Sequence, residues 1–314
     1  MKETNDFIMA IDTSNYTTSI AIVDCNQNII KDERKTLRVK QGERGLRQSH
    51  ALFQHLENLP LLIENAFSDI DTKSIKAIAV SDRPRPVKDS YMPVFKAGLT
   101  IGSVIASSLS VPLYKFSHQE GHLAAVSYGT QFKLRDSYLA FHLSGGTCEL
   151  LYVDGNSVEK VGGSKDISFG QVIDRIGVAL GMFFPAGNEM DKLAFNFEGV
   201  SILKRIPFDG LEINLSGLET QAQRLLANNN KEQLAYSIFY EISYCLVEWI
   251  NKAVNKMNCN RVLLTGGVAA SEFIRKHLNN YYKDKEVTIE FGPSSLSTDN
   301  AVGLALLGGA KLWQ

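Results

Sequence analysis

Two histidines stand four residues apart in His118-Gln119-Glu120-Gly121-His122. On a helix, residues i and i+4 share one face, so both imidazoles can reach a single ion. The Glu does not directly follow the first histidine, so the general base of an HExxH metalloprotease is missing. The motif reads as a metal site without a protease mechanism; the plain alternative is a solvated helix carrying two of the chain's six histidines. Ahead of the last apolar run stands Ser297-Thr298-Asp299-Asn300. Asp299 there offers a hard oxygen ligand, or serves only as a helix cap. In Leu264-Thr265-Gly266-Gly267-Val268-Ala269-Ala270-Ser271, two glycines lie between an apolar run and a helix start. Such a turn lets backbone approach an anion or a nucleoside closely.

These residues need elements to hold them. Apolar runs at Phe7–Ile11 and Ser19–Val23 flank the turn Asp12-Thr13-Ser14-Asn15, and runs at Tyr138–Leu143 and Cys148–Val153 flank Ser144-Gly145-Gly146-Thr147. Helical spacing marks 49–67, 94–109, 118–128 (with Ser117 as cap), 167–180, two helices within 220–257, one from Ser271 and a last one over 300–312. Short strands fit 75–80 and 262–265. Strand, polar turn, strand thus occurs twice, each time feeding helices, which suggests a duplicated α/β domain with a cleft between the copies. Polar turns of this kind offer backbone N–H groups to a phosphate chain, although one such turn alone would be an ordinary hairpin.

The 314 residues suit two packed lobes, and 44% of them are apolar. Lys and Arg (33) balance Asp and Glu (34), so any nucleic-acid contact needs a local basic patch. Four cysteines are scattered with no CxxC pair, which argues against a disulfide scaffold or a cysteine zinc site. No signal peptide or membrane helix is expected, and the chain reads as cytoplasmic.

Taken together, the motifs resemble the tRNA threonylcarbamoyladenosine transferase family (TsaD-like, once described as O-sialoglycoprotein endopeptidases), and the match runs in order along nearly the whole chain. Ile11-Asp12-Thr13-Ser14 resembles the family's first phosphate loop, His118–His122 its HxEGH metal motif, and Leu143–Thr147 its second loop, VSGG. Asp174 with Pro185-Ala186-Gly187 resembles FDK…YPGG, Leu215–Thr220 resembles SFSGLKT, and Thr265–Ala270 and Ser297–Asn300 resemble the GGV turn and CTDN. The resemblance implies an ASKHA (actin, sugar kinase, heat-shock ATPase) fold, α/β, duplicated and two-lobed. Residues 1–110 with 298–314 would form the N-terminal lobe, and 111–297 a C-terminal lobe carrying the metal and nucleotide site. It implies one divalent ion, iron or zinc, on His118, His122 and Asp299. Where archaeal-type members place a Tyr ligand, this chain has His142, expected as a fourth ligand or else a hydrogen-bonded core residue. ATP or an acyl-adenylate is expected on Ser144, Gly145, Gly146, Thr147, Asp174, Gly187 and Asp191, with the glycine turn Gly266-Gly267 and Ser271 beside it. No catalytic base is assigned.

The chain departs from the pattern on the acceptor side. Asn15-Tyr16-Thr17 stands where the family has Cys-Asp-Glu, which removes candidate bases and two negative charges. The AGPG stretch is replaced by Ser81-Asp82-Arg83-Pro84-Arg85-Pro86-Val87-Lys88, in which Arg83 and Arg85 could clamp an anion or simply face water. The expected function is transfer of a threonylcarbamoyl or carbamoyl group from an adenylate, with tRNA adenosine N6 as acceptor. The alternatives are a carbamoyltransferase with another acceptor and a non-catalytic nucleotide-binding partner subunit. Retained metal ligands favour the enzyme. A paralogous subunit or a second copy is an expected partner, and a membrane is not.

Overall fold

The computed structural model describes residues 6–14, 16–38, 46–132, 136–155 and 157–313. The chain divides into two units, Met1–Tyr128 with Ser295–Gln314, and Gly129–Ser294.

The first unit opens with β1 (Phe7–Ser14), β2 (Thr17–Asp24) and β3 (Ile29–Thr36), followed by α1 (Gln48–Phe67), β4 (Ile75–Arg83), α2 (Phe95–Leu109), β5 (Leu113–Ser117) and α3 (His118–Ser127). The sheet order is β3-β2-β1-β4-β5, with β1 antiparallel to β2 and parallel to β4. Every residue of β1 is buried, as a central strand covered on both faces requires. Successive side chains point to opposite faces. Ile8 and Ala10 join one core cluster, and Phe7, Met9 and Ile11 join another with Leu59, Leu62 and Ala97 from α1 and α2.

The second unit holds β6 (Ser137–Leu143), β7 (Cys148–Asp154), β8 (Ser157–Ser164), α4 (Phe169–Ala179), α5 (Gly187–Phe195), β9 (Phe208–Asp209), β10 (Glu212–Ile213), α6 (Ser216–Leu225), α7 (Lys231–Met257), β11 (Arg261–Thr265), α8 (Glu272–Tyr282) and β12 (Thr288–Phe291). Its sheet runs β12-β11-β6-β7-β8-β10-β9. Leaving aside the two-residue strands β9 and β10, each sheet has the same order: the third, second and first strands of an antiparallel meander, then two parallel strands. The doubled hairpin expected from the sequence is therefore a doubled sheet. α9 (Val302–Leu312) returns to the first unit and packs on β1, β4 and α3.

The sequence expectation placed residues 111–128 in the second lobe. They stand in the first unit instead, because β5 extends that sheet by pairing in parallel with β4 and α3 packs on α9. Among the described residues, no helix is long and apolar enough to cross a membrane.

Candidate functional site

α3 starts where the sequence places its cap. Ser117 Oγ accepts the Glu120 N–H at 3.2 Å, and the Glu120 carboxylate accepts the Ser117 N–H at 2.6 Å, a reciprocal capping box. Glu120 is thereby fixed as a structural residue, and His118 and His122 project from the first turns of the helix. Asp299 comes from the loop ahead of α9. Gly303 sets the distance between α3 and α9: a Cβ there would lie 1.8 Å from the Gly121 carbonyl oxygen. Only a bare backbone allows this approach.

The two imidazoles and the carboxylate meet. His122 Nε2 lies 3.2 Å and His118 Nε2 lies 3.5 Å from the same Oδ1 of Asp299. The three donor atoms lie within 4.8 Å of one another. On the far side of the His118 ring, Nδ1 is 2.7 Å from Asp12 Oδ2, and Asp12 Oδ1 accepts the Ser81 hydroxyl at 2.5 Å. Asp12 is fully buried. A carboxylate behind an imidazole fixes the ring and holds a proton on Nδ1, so Nε2 is the nitrogen that would be offered to an ion in exchange for its own proton. Burial opposes charge on His118, but Asp12 and Asp299 outweigh it and push the group up to about 10. Burial likewise opposes charge on Asp299, and both imidazoles outweigh it, holding the carboxyl well below its usual range. The group favours one additional positive charge, and two neutral imidazole nitrogens with one carboxylate oxygen form a donor set that suits zinc or iron. All three residues belong to the first unit.

His142 lies near the end of β6 in the second unit, opposite Glu149 of β7 and Thr265 of β11. The three-donor group does not include it. Arg83 donates to Asp82 at 2.6 Å and lies 3.6 Å from the Glu120 carboxylate, so two acids already hold its guanidinium. Arg85 is exposed, and its backbone N–H is bonded to Ser90 Oγ. Asn15 lies outside the described residues.

The expected nucleotide residues gather within the second unit. Gly145, Asp174, Gly187, Asp191, Gly267 and Ser271 line one cavity of about 250 Å³. Ser144, Gly146, Thr147 and Gly266 belong to its turns without lining it. The β6–β7 turn is closed by the Ser144 N–H on the Thr147 carbonyl and the Thr147 N–H on Ser144 Oγ, and Ser168, the cap of α4, donates to the Gly145 carbonyl at 2.7 Å. Gly266 takes φ +96°, and a Cβ there would meet the Leu143 carbonyl oxygen at 2.2 Å. Burial raises the Asp174 carboxyl above its usual value, against the pull of the Ala186 and Gly187 N–H groups. Asp191 accepts Ser271 Oγ at 2.6 Å and the Glu272 and Phe273 N–H groups at 2.8 and 3.2 Å, so it closes the start of α8 together with the Ser271 cap.

Sequence reasoning missed Phe239 as a wall of this cavity, because it reads as one more apolar residue on α7. It also missed His55. That ring is fully buried on α1, with Nδ1 2.9 Å from Thr18 Oγ1 and Nε2 without a hydrogen-bond partner. A lone histidine among helical residues gives no sequence signal.

The sequence model of tRNA N6-adenosine threonylcarbamoyltransferase, TsaD, matches residues 29–306. The chain belongs to this family. The TsaD relative from Prochlorococcus marinus (strain MIT 9215) is 30% identical, over 98% of this chain and 90% of that protein. The relative from Archaeoglobus fulgidus is 27% identical, over 96% and 90%. Both carry the name tRNA N6-adenosine threonylcarbamoyltransferase. Among solved structures, full-length HypF in its phosphate- and nucleotide-bound form superposes with TM-score 0.62 at 11% identity, over 98% of this chain and 56% of that one. The (R)-2-hydroxyglutaryl-CoA dehydratase component A of Acidaminococcus fermentans gives 0.57 at 14%, over 98% and 100%. A ROK family glucokinase from Streptomyces griseus with glucose and AMPPNP gives 0.52 at 11%, over 96% and 98%. These likenesses establish the ASKHA fold of this chain.

Proposed function

We propose that this chain transfers a threonylcarbamoyl group from its adenylate to N6 of a tRNA adenosine in the cytoplasm. The observation that carries the reading is the convergence of His118, His122 and Asp299, with Asp12 behind His118, in a chain of the TsaD family. In the transfer, the amine nitrogen forms a bond to the carbamoyl carbon, the bond from that carbon to the phosphate oxygen breaks, AMP leaves, and the amine gives up a proton.

His118, His122 and Asp299 would hold one divalent ion, zinc or iron. Bound there, the ion would supply positive charge to orient and neutralise phosphate or acyl oxygens. Asp12 would keep the proton on His118 Nδ1 and leave Nε2 for the ion. His142 is proposed as a fourth ligand, on the resemblance alone. The glycine turns at Gly145 and Gly267, with Asp174 and Gly187, would receive the adenylate, through backbone N–H groups and close approach. The Asp191 carboxylate is engaged at the α8 start, so its part in nucleotide binding would be to hold that turn rigid. Arg83, paired with Asp82 and Glu120, would order its loop, and Arg83 and Arg85 together remain the cations proposed to meet an anion, on the residue types alone. The altered loop at Ser81–Lys88 keeps one other reading in view, a carbamoyl-type transfer to a different acceptor.

The test is reconstitution with threonylcarbamoyl-adenylate and tRNA lacking the modification, alongside metal analysis. Modified adenosine is expected, as is stoichiometric metal that is lost in His118→Ala and reduced about 10–100-fold in affinity in His142→Ala. No product under conditions where another TsaD protein works would sink the transferase reading, and unchanged metal content in His142→Ala would remove that ligand.

A further inference from the structure

Away from the glycine-lined cavity, the second unit carries a groove of about 520 Å³ between the 199–205 loop and α7, with Lys204, Arg205, Tyr236, Tyr240 and Glu241 in its wall. Glu241 is 2% exposed, and its carboxylate takes two hydrogen bonds, at 2.9 and 2.8 Å, from Nη1 of the half-exposed Arg205. Burying a carboxylate is costly, and its pairing seldom recovers the loss. The result of this pairing is positional. Arg205 is held against Tyr244, 3.6 Å from the ring centre, and 5.3 Å from that of Tyr240.

Tyr236, Tyr240 and Tyr244 follow at i, i+4 and i+8 along one face of α7. Tyr236 stacks on Tyr240 at 5.7 Å, and Tyr240 meets His277 of α8 at 5.9 Å. Next to His277, the Lys276 ammonium sits 4.7 Å over Phe195, and one turn beyond α8 Lys285 sits 3.3 Å over Tyr281. The charges set against these rings are cations, and the carboxylate in the groove wall is spent on Arg205. Lysine is depleted at the cores of protein interfaces. Cations interleaved with ring faces are what unpaired nucleotides need, since bases stack on aromatic and guanidinium planes and phosphates meet ammonium groups.

We propose that this strip along α7 and α8 binds single-stranded RNA, with bases stacked on Tyr240 and on the Arg205–Tyr244 plane and phosphates on Lys204 and Lys276. The proposal rests on the tRNA reading of the function and names a surface for the acceptor apart from the nucleotide cavity.

The experiment is fluorescence anisotropy of a labelled, unmodified tRNA transcript with the full chain, without donor, across a salt series. Lys204→Glu combined with Lys276→Glu, and separately Tyr240→Ala, are expected to weaken binding about tenfold or more each. The double charge variant should also flatten the salt dependence. Arg205→Lys keeps Glu241 paired and guards against misfolding; it should weaken binding by losing the flat stacking surface alone. Adenine nucleotide affinity should be unchanged in all of them. Folded variants that bind tRNA within twofold of the parent overturn the proposal, as does loss of a protein complex with tRNA affinity intact. If the strip variants lose tRNA while the parent yields no modified adenosine, the strip stands and the transferase reading falls.

Discussion

His118 shows how one residue's surroundings decide its chemistry: Asp12 takes Nδ1, so Nε2 is left to face Asp299. The histidine pair was legible in the sequence, because i,i+4 spacing fixes a shared face. The role of Asp12 was not, since its partner lies 106 residues away and meets it only once β1 and β5 share a sheet. His55 was illegible for the same reason. It makes a clean prediction. Burial lowers its pKa from 6.5 to about 4, so the ring is neutral in the fold and charged in the unfolded chain between those values. Because the folded pKa is depressed, the unfolded state binds more protons in that window, and stability falls as pH drops from 6.5 towards 4. At 1.36 kcal/mol per unit, the loss approaches about 3 kcal/mol. Urea unfolding of the parent and of His55→Gln at pH 7 and 4.5 should show the variant losing less on acidification. An equal loss in both would mean that His55 does not carry the effect.

At the scale of elements, the candidate ion site depends on two helices that are far apart in sequence. α3 supplies both histidines and α9 follows Asp299, and their close packing requires Gly303 against the Gly121 carbonyl. Gly303→Ala adds a methyl group where 1.8 Å is available, which neither helix can absorb without shifting. A cost of about 1–3 kcal/mol is expected, together with reduced metal content as Asp299 moves from the histidines. Thermal melting and metal analysis of the variant check this, and a parent-like melt with full metal would show that α9 sits differently. The sequence indicated both helices, α3 through its Ser117 cap, yet nothing in it told that they touch. The hairpins were legible from turn residues between apolar runs. α5 was not, because Gly187 opens it without a side-chain cap and it spans only Gly187–Phe195. β9 and β10 are two residues each, too short for any alternation to register.

At the scale of the whole chain, the sequence showed a doubling but misplaced the seam, since residues 111–128 carry no composition shift and are claimed by the first unit only through β4–β5 pairing and the α3–α9 contact. The corrected seam has a consequence for autonomy. Gly129–Ser294 is one uninterrupted stretch, and it contains the whole core cluster built on Phe141, Phe169, Phe239 and Trp249 as well as every residue lining the glycine-turn cavity. The first unit is completed from the far end of the chain, because Ala301, Val302, Leu304 and Ala305 fill the core over Ile8, Ala10 and Ala79. A fragment of residues 129–294 should therefore melt cooperatively and bind an adenine nucleotide within about tenfold of the full chain (about 1.4 kcal/mol), while retaining no metal. A fragment ending at Tyr128 should fail to fold, for want of α9. Calorimetry and nucleotide titration of the two pieces decide the matter: a non-cooperative melt of 129–294 would show that this unit depends on the rest of the chain in a way its own core does not require, and a folded 1–128 would show that α9 is dispensable to the first unit's core.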